Sequence, residues 1–204
     1  MEAFAAFLDR LSARLDPLDG RIPAGSGAIH AAVALLLRPA RAGAGDSSDG
    51  SAEILFIKRA ERKGDPWSGH IAFPGGRQSA RDADLLAAAV RETKEEVDID
   101  LGAGGRVLGR LPTIEPVSVH LPPIDVTPFV ALAPDGAREA ALPEEVKATF
   151  WVSLSSLRES GLSETVTLSA GGEKRQWPAY PSPAGAIWGI TERILTGFLA
   201  RMAP

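Results

Sequence analysis

Three glutamates and a pair of glycines are the residues most able to support chemistry in this sequence. Glu92, Glu95 and Glu96 lie close together, and Gly75 and Gly76 precede them in a Phe-Pro-Gly-Gly stretch. Acidic side chains three and four residues apart share one face of a helix and repel each other. A hard divalent cation, which prefers oxygen ligands, would offset that repulsion. The spacing therefore predicts either a metal site or a charged helix face exposed to solvent.

The glycine pair favours the metal site over the exposed face. Glycines let a backbone approach a ligand closely, and they expose amide groups that bind anions. An anion-binding turn next to an acidic helix is contradictory unless a cation joins the two. A phosphate bound to a metal ion resolves the contradiction. The expected helix begins near Asp82 or Asp84, and its apolar stripe contains Leu86, Ala89, Val90, Thr93 and Val97.

This stretch resembles the box of the Nudix hydrolases. The box has a glycine, five residues, a glutamate, seven residues, Arg-Glu, an apolar residue, any residue, Glu-Glu, any residue, a glycine and an apolar residue. The residues that match in order are Gly76, Arg91, Glu92, Glu95, Glu96 and Ile99. The sequence departs from the box at four points. One extra residue precedes Arg91, Asp82 replaces glutamate, Thr93 replaces an apolar residue, and Asp98 replaces glycine.

Longer segments are similar to the coenzyme A diphosphatase branch of that family, which shares the extra residue. They are "IKRAERKGDPWSGHIAFPGG", "LPPIDVTPFVALAP", "PEEVKATFWVSL" and "IWGIT". In the first of them "KGDPWS" replaces the branch's usual pattern, and His70 stands where the branch has glutamine. The likeness covers roughly Ala31 to the C-terminus.

The resemblance implies a mechanism and the residues that perform it. It implies Mg²⁺- or Mn²⁺-dependent hydrolysis of a nucleoside diphosphate derivative, with coenzyme A or an acyl-CoA as the favoured substrate. Glu92 and Glu96 would be the principal metal ligands, and Glu95 would complete the site or orient a metal-bound water. Arg91 would hold a carboxylate in place, whereas in the alternative interpretation it is an exposed helix charge.

Further candidates lie outside the box. Glu145, which follows Glu144 in "LPEEV", is the preferred general base, although both could be turn residues; Glu115 is a weaker candidate. Candidate substrate-binding residues are Arg59, His70, Gly75, Gly76 and Arg77. Arg59 belongs to a basic patch with Lys58, Arg62 and Lys63, which could bind phosphate or simply be a solvated strand end. Aromatic residues that could stack on a base or belong to the core are Trp67, Trp177, Tyr180 and Trp188.

The alternatives to this assignment are other substrates and other functional classes. ADP-ribose, NADH or a nucleoside triphosphate are alternative substrates for the same chemistry. A non-catalytic Nudix-fold sensor that binds a nucleotide is an alternative of another class, although such a domain would be expected to lose box glutamates. The related isopentenyl diphosphate isomerases rely on a catalytic cysteine. This sequence contains none, which excludes that activity.

Alternating strand and helix patterns indicate how these residues are positioned. The pattern predicts an α/β fold, and the resemblance specifies a Nudix-type α/β/α sandwich with a mixed central sheet. A hairpin of "AAVALLLRP" and "AEILFIKR" precedes the box, "ETVTL" and "KRQWPAY" form a later hairpin, and a closing helix runs from Gly185. An amphipathic helix with Phe4, Leu8, Leu11 and Leu15 comes first, docked on the main domain or contacting a partner subunit. We therefore divide the chain into a helix and linker at 1–27 and a Nudix hydrolase domain at 28–204.

Composition narrows the range of partners. The formal net charge of −4 argues against general binding to nucleic acid or anionic membranes, which requires a basic surface. No apolar run approaches the roughly 20 residues of a membrane span. The absence of cysteine is compatible with a reducing compartment, so we expect a cytoplasmic protein. A small-molecule substrate is the expected partner, and a homodimer is the family expectation.

Overall fold

The computed structural model describes residues 2–19, 29–40, 52–115, 123–141, 144–170 and 173–202 of the 204-residue chain. Its helices are α1 (Glu2–Ser12), α2 (Leu85–Val97), α3 (Leu154–Ser160) and α4 (Ile190–Arg201). Its strands are β1 (Ile29–Pro39), β2 (Ala52–Arg59), β3 (Ile71–Ala72), β4 (Gly75–Arg77), β5 (Arg106–Arg110), β6 (Ile124–Leu132), β7 (Val146–Ser153), β8 (Glu164–Ala170), β9 (Glu173–Tyr180) and β10 (Ile187–Trp188). None of these helices is long and apolar enough to span a lipid bilayer.

A seven-stranded mixed sheet forms the centre of the fold. Its order is β3-β2-β1-β6-β5, with β4 also paired to β1 and β7 to β2. Strands β1 and β6 are parallel, and the other pairs in this sheet are antiparallel. The predicted hairpin of β1 and β2 is confirmed, with Leu37 opposite Ile54. The tip of that hairpin lies outside the described residues.

Both faces of the sheet are covered, as the predicted α/β/α sandwich requires. Successive side chains of a strand point to opposite faces. On β1, Leu35 and Leu37 pack in the cluster that includes residues of α1, α3 and α4, whereas Leu36 packs in a second cluster with Val97 of α2. Ala32 of β1 also packs against α2, through Ala88. Of the described helices, only the acidic helix α2 therefore lies on this second face of the sheet.

Helix α1 is part of the main hydrophobic core. Phe4, Phe7, Leu8 and Leu11 are buried in the same cluster as strands of the central sheet. Fully burying one such side chain is worth about 1.5–3 kcal/mol relative to leaving it exposed. The predicted docking of this helix is confirmed, and its apolar face is occupied by the chain's own core. The linker predicted up to residue 27 lies largely outside the described residues.

The prediction that the closing helix starts near Gly185 was wrong, because a short strand precedes the helix. Ile187 and Trp188 form β10, which pairs with the end of β9 in a separate three-stranded sheet with β8. Gly189, at φ +70°, separates this strand from α4. The strand hydrogen bonds to β9 outweigh the local helical pattern. The predicted hairpin of β8 and β9 is confirmed.

Candidate functional site

The central sheet forks at β1, and the glycine pair lies at the fork. Residues Leu37 to Pro39 of β1 pair with β2, whereas Ala31 to Val33 pair with β4. Gly75 has φ +150°, and a Cβ atom there would lie 2.2 Å from the backbone oxygen of Ala32. A Cβ atom at Gly76 would lie 2.5 Å from the carboxyl carbon of Glu92. Gly75 is therefore needed to let β4 approach β1 this closely, and Gly76 leaves the room that the Glu92 carboxylate occupies.

Helix α2 is capped at both ends by aspartates. The Oδ1 atom of Asp84 accepts a hydrogen bond of 2.7 Å from the backbone N–H of Ala87, so of the two predicted start residues Asp84 is the cap. Asp98 ends the helix in the left-handed conformation at φ 55°, with its N–H bonded to the Lys94 oxygen. Aspartate tolerates that conformation better than most residues, which explains how it replaces the glycine of the box.

Thr93 is a polar residue on the buried face of α2, and its hydroxyl is hydrogen-bonded there. Thr93 is fully buried, and its Oγ1 donates a 2.7 Å hydrogen bond to the backbone oxygen of Ala89. A buried polar group that is hydrogen-bonded avoids most of the cost of leaving water. This departure from the apolar residue of the box therefore leaves the packing of the helix intact.

Glu96 is the most deeply buried carboxylate of the acidic cluster. Its residue surface is 2% exposed, and its Oε2 accepts a 2.9 Å hydrogen bond from the N–H of Gly75. Burial raises the pKa of Glu96 to about 7, with smaller contributions from the charges of Glu92 and Glu145. The Gly75 N–H and the Arg59 charge oppose that rise. The ionised form of this carboxylate is thus poorly compensated by the protein alone, and a cation would compensate it.

Arg91 makes four ion-pair contacts, of which two connect the helix to the preceding loop and two lie within the helix. Its Nε and Nη2 atoms donate to the two oxygens of Asp82, at 2.8 and 2.9 Å, in a bidentate pair. Its Nη1 atom donates to Glu92 and Glu95, each at 2.8 Å. The Arg91 guanidinium holds the pKa of Asp82 far below its usual value, and the Asp82 carboxylate raises the pKa of Arg91. Asp82 is therefore the anchor of Arg91, a role that the spacing of the box did not reveal.

Glu95 is more exposed than the other two glutamates and does not line the cavity described below. Its side chain is 47% exposed and pairs with Arg91 and, at 3.8 Å, with Arg81. Residues 92 and 96 are one helical turn apart, but residue 95 is rotated by about 100° from residue 96. Among the described residues, no group of three or more His, Cys, Asp and Glu side chains is arranged to hold a metal ion. The structure thus brings Glu92 and Glu96 together without Glu95, whose assignment as a ligand stays a prediction.

A cavity of about 430 Å³ lies over the fork. It is lined by eight of the ten predicted site residues: Arg59, His70, Gly75, Gly76, Arg77, Glu92, Glu96 and Glu145. Arg91 and Glu95 do not line it. Carboxylates, guanidinium groups and the glycine turn thus share one concave site, which is the usual form of a small-molecule site.

Asp65 is a cavity residue that the sequence analysis missed. Its Oδ2 atom pairs with Nη2 of Arg59 at 3.0 Å, and its Oδ1 atom accepts from the Trp67 N–H at 2.9 Å. The Nε atom of Arg59 is buried without a hydrogen-bond partner among the described residues. Burial lowers the pKa of nearby His70, whose ring lies 4.5 Å from that of Trp188. The only signal in the sequence was the unusual "KGDPWS" segment, which contains Asp65.

The basic residues 58, 59, 62 and 63 do not form one patch. The Nζ atom of Lys58 donates to the backbone oxygen of Ala184 at 2.9 Å. Arg62 contacts Glu145 at 3.5 Å and the backbone oxygen of Glu144, and Lys63 is exposed. Of these four residues, only Arg59 lines the cavity. The alternation of side chains along β2 and the turn that follows it separate these four charges.

Comparison with known proteins identifies the family. The NUDIX domain model matches residues 32–169. The chain belongs to the Nudix domain family. It is 34% identical over 129 residues to the "Uncharacterized Nudix hydrolase NudL" of Salmonella paratyphi B. The aligned region covers 63% of this chain and 64% of that protein. The corresponding protein of Salmonella newport gives the same values. The chain thus spans just under two thirds of the length of these relatives.

A solved structure supports the Nudix fold independently. The crystal structure of a MutT/nudix family protein from Enterococcus faecalis matches with a TM-score of 0.56 at 18% identity. The match covers 89% of this chain and 64% of that chain. At this level of identity the likeness establishes the fold, including the α/β class and the mixed sheet that the sequence predicted.

The remaining candidates of this Nudix chain divide between the cavity and the scaffold. Trp67 and Trp188 line the cavity, whereas Trp177 does not and Tyr180 is buried in the core. Glu115 does not line the cavity, and its backbone oxygen accepts a hydrogen bond from Arg193. Of the predicted bases, Glu145 is therefore the one that reaches the cavity.

The donor set of the cavity fits a hard divalent cation. Glu92, Glu96 and Glu145 offer only carboxylate oxygens, which are the ligands that Mg²⁺ and Mn²⁺ prefer. Mg²⁺ commonly takes one or two carboxylates and completes its shell with water and substrate phosphates. Gly76 leaves the space beside Glu92 that a side chain would otherwise fill. Glu92 and Glu96 would hold the ion, with Glu145 across the cavity.

Proposed function

We propose that this protein is a divalent-metal-dependent hydrolase of the diphosphate bond in nucleoside diphosphate derivatives, using Mg²⁺ or Mn²⁺. The observation that carries the proposal is the buried carboxylate of Glu96, hydrogen-bonded to the Gly75 N–H, with Glu92 beside the glycine turn. Membership of the Nudix family supports the same reaction class.

The charged residues in and beside the cavity would each have a role in this reaction. A bound cation supplies a Lewis acid that neutralises the diphosphate and acidifies water. Arg59 and Arg77 bind phosphate oxygens, and Arg91 fixes the orientation of Glu92 from outside the cavity. Glu145 accepts a proton from the attacking water. The water oxygen forms a bond to one phosphorus of the diphosphate as the bridging P–O bond breaks, and each product keeps one of the two phosphates that the bridge had joined.

Coenzyme A or an acyl-CoA is the substrate we favour, giving 3′,5′-ADP and 4′-phosphopantetheine. The support is the similarity of four segments of this sequence to the coenzyme A diphosphatase branch. ADP-ribose, NADH and nucleoside triphosphates are the alternatives. We also propose that the protein is cytoplasmic and that it forms a homodimer.

Product analysis by mass spectrometry tests the proposal. The full chain is incubated with Mg²⁺ or Mn²⁺ and, separately, with coenzyme A, acetyl-CoA, ADP-ribose, NADH and nucleoside triphosphates. Release of 4′-phosphopantetheine from coenzyme A is the expected result. Cleavage of another substrate alone would keep the mechanism and reject the coenzyme A assignment. If no substrate is cleaved with either metal, the enzymatic proposal is wrong, and a nucleotide-sensing function takes its place.

A further inference from the structure

Arg59 is placed at the cavity by an irregularity in the strand pairing of β2. The register of β2 against β7 shifts between Lys58 and Arg59, as at a β-bulge. Bulges beside functional sites redirect a side chain. The N–H of Arg59 donates to the backbone oxygen of His70 at 2.9 Å, and the N–H of Ala60 donates to that of Glu145 at 2.9 Å. The end of β2 thus brings three cavity residues to one place.

The Arg59 guanidinium pairs with one of the several carboxylates that share the cavity. Among the described residues its ion pair is with Asp65, at 3.0 Å. Glu96 and Glu145 also line the cavity, and the Arg59 charge acts on Glu96 strongly enough to oppose the rise in the pKa of that carboxyl. A guanidinium group matches the geometry of any carboxylate. A pair between Arg59 and either glutamate would compete with a cation for the same oxygens.

Asp65 is itself held in place by the loop that contains it. Pro66 disfavours the helical conformation for the residue before it. The Oδ1 atom of Asp65 accepts a hydrogen bond from the Trp67 N–H at 2.9 Å, which is the contact of an Asx turn. The backbone oxygen of Asp65 accepts from the Ser68 N–H at 3.1 Å, and Trp67 packs against the main hydrophobic cluster. One carboxylate oxygen of Asp65 therefore fixes the loop, and the other holds Arg59.

We propose that Asp65 is a positioning residue, which holds the Arg59 guanidinium for phosphate and prevents it from pairing with Glu96 and Glu145. The inference rests on the proposed function and adds to it a residue outside the box. With Asp65 present, the two glutamates stay free for a cation. The Nε atom of Arg59, which has no hydrogen-bond partner among the described residues, shows that Asp65 does not exhaust the donors of this guanidinium. Without Asp65 the guanidinium pairs with a cavity glutamate, so both the cation and the substrate bind less tightly.

Asp65→Asn tests the role because it removes the charge and keeps the turn. The asparagine oxygen still accepts from the Trp67 N–H, but the neutral amide does not hold a guanidinium. We expect the Kd for Mn²⁺, measured by calorimetric titration of the full chain without substrate, to rise about tenfold. The KM of whichever substrate is hydrolysed should also rise about tenfold.

Ser68→Ala is the matched control in the same loop. The Ser68 hydroxyl accepts a hydrogen bond from the N–H of Arg62 at 2.9 Å and not from Arg59. This variant should change the Kd for Mn²⁺ and the KM by less than about twofold. Equal effects of Ser68→Ala and Asp65→Asn would mean that any disturbance of the loop has this result, and they would overturn the inference.

A double-mutant cycle shows whether Asp65 acts through Arg59. Arg59→Ala alone should leave Mn²⁺ binding equal or tighter, because no guanidinium then competes for the glutamates. Adding Asp65→Asn to it should change the Kd for Mn²⁺ by less than about twofold. If Asp65→Asn weakens Mn²⁺ binding equally with and without Arg59, Asp65 supports the loop or binds the metal ion itself, and the inference is wrong. Circular dichroism checks folding, and Asp65→Ser, whose hydroxyl can also accept from the Trp67 N–H, replaces a variant that does not fold.

The Mn²⁺ titration separates this inference from the proposed function. If no substrate is hydrolysed, the hydrolase proposal fails, and the Mn²⁺ affinities of the cycle decide the inference alone. If a substrate is hydrolysed but the effects of the two substitutions on Mn²⁺ binding are additive, the inference fails and the hydrolase proposal stands. A natural protein that binds no Mn²⁺ would also overturn the inference.

Discussion

Glu95 and Glu96 are neighbours in the chain, yet their carboxylates have different surroundings. Glu96 is buried against the Gly75 N–H, whereas Glu95 is half exposed and held by arginines outside the cavity. Adjacent glutamates in an acidic box are thus not equivalent. Glu92 and Glu96 line the cavity in which the proposed ion would bind, whereas Glu95 does not line it.

Substituting the two glutamates separately tests this difference. Glu96→Gln should lower kcat at least about a hundredfold and weaken activation by Mn²⁺, because it removes a ligand from the cavity. Glu95→Gln should cost less than about tenfold, since it removes one contact of Arg91. Initial rates over a Mn²⁺ titration measure both effects, and circular dichroism checks the folding of each variant. Equal losses of activity in the two variants would support the prediction that all three glutamates bind the metal ion.

Asp82 acts through Arg91, so its chemistry matters more than its position in the loop. Asp82→Asn keeps the size of the side chain but breaks the bidentate pair, and the apparent affinity for Mn²⁺ should fall about 10- to 100-fold. Asp82→Glu keeps the carboxylate that the box has at this place, and it should retain most of the affinity. A merely structural role for Asp82 would lower the unfolding temperature of Asp82→Asn without changing the Mn²⁺ dependence of the rate.

At the scale of elements, the hairpin of β1 and β2 and the helix α2 could be predicted because their signals are local. Short continuous apolar runs indicate the buried strands, and the aspartates at 82 and 84 mark the start of the helix to within two residues. The pairing of β4 with β1 and the strand β10 could not be predicted in the same way. Both depend on hydrogen bonds between residues far apart in the sequence.

The candidate site shows the same division between local and distant information. The box residues could be listed from their spacing, and eight of the ten predicted residues line the cavity. The exposed position of Glu95 depends on the position of Arg91, which in turn depends on Asp82 across a loop. Asp65 enters the site only because β2 brings Arg59 to the fork.

The contact between Gly76 of β4 and Glu92 of α2 predicts that one methyl group added at residue 76 lowers the activity strongly. In Gly76→Ala the new Cβ atom would lie 2.5 Å from the carboxyl carbon of Glu92, so the carboxylate must move. We expect a loss of at least about tenfold in kcat with Mg²⁺, because the displaced carboxylate is a proposed ligand. Initial-rate measurements check this.

Gly197→Ala is the matched control for that variant. A Cβ atom at Gly197 meets nothing within 4 Å, and the residue lies inside α4. Alanine in a helix is more stable than glycine by up to about 1 kcal/mol, so this variant should keep full activity and unfold at an equal or higher temperature. An active Gly76→Ala variant would contradict the close contact between the two elements.

At the scale of the whole molecule, α1 is a piece of the core and not an appendage. Leu11 is 2% exposed and packs in the main cluster, whereas Leu18, a few residues later, is 42% exposed. Leu11→Ala should lower the free energy of unfolding by about 2–5 kcal/mol. Leu18→Ala should change it by less than about 0.5 kcal/mol. Denaturant unfolding measures both, and a small effect of Leu11→Ala would show that the helix is dispensable.

The buried carboxylate of Glu96 makes the stability of the metal-free protein depend on pH. Its pKa is about 7 in the folded protein, against an ordinary value of 4.5. Between these values the unfolded chain releases the proton and the folded chain retains it, so stability falls as the pH rises through this range. The loss for this group is about 3 kcal/mol when complete.

Thermal unfolding in a chelator between pH 4 and 8 measures this loss. Glu96→Gln should flatten the part of the profile between roughly pH 4.5 and 7, because the amide does not titrate. Mn²⁺ added near pH 8 should raise the unfolding temperature of the natural protein more than that of Glu96→Gln. Identical pH profiles for the two proteins would contradict the burial of an uncompensated carboxylate.

The pairing of β4 with β1 determines where this chain can change in length. Ala32 faces Gly76 and Val33 faces Gly75, and a slip of one residue would turn the side chain of Arg77 to the opposite face and move both glycines from the positions where they allow close contact. Helix α2 is equally constrained, since Glu92 and Glu96 must stay one turn apart. The segment between β4 and α2, from Ser79 to Asp84, has to bring Asp82 to Arg91 and to place Asp84 at the start of the helix. Insertions and deletions in close relatives should therefore fall in this segment, where the residue added to the box is accommodated.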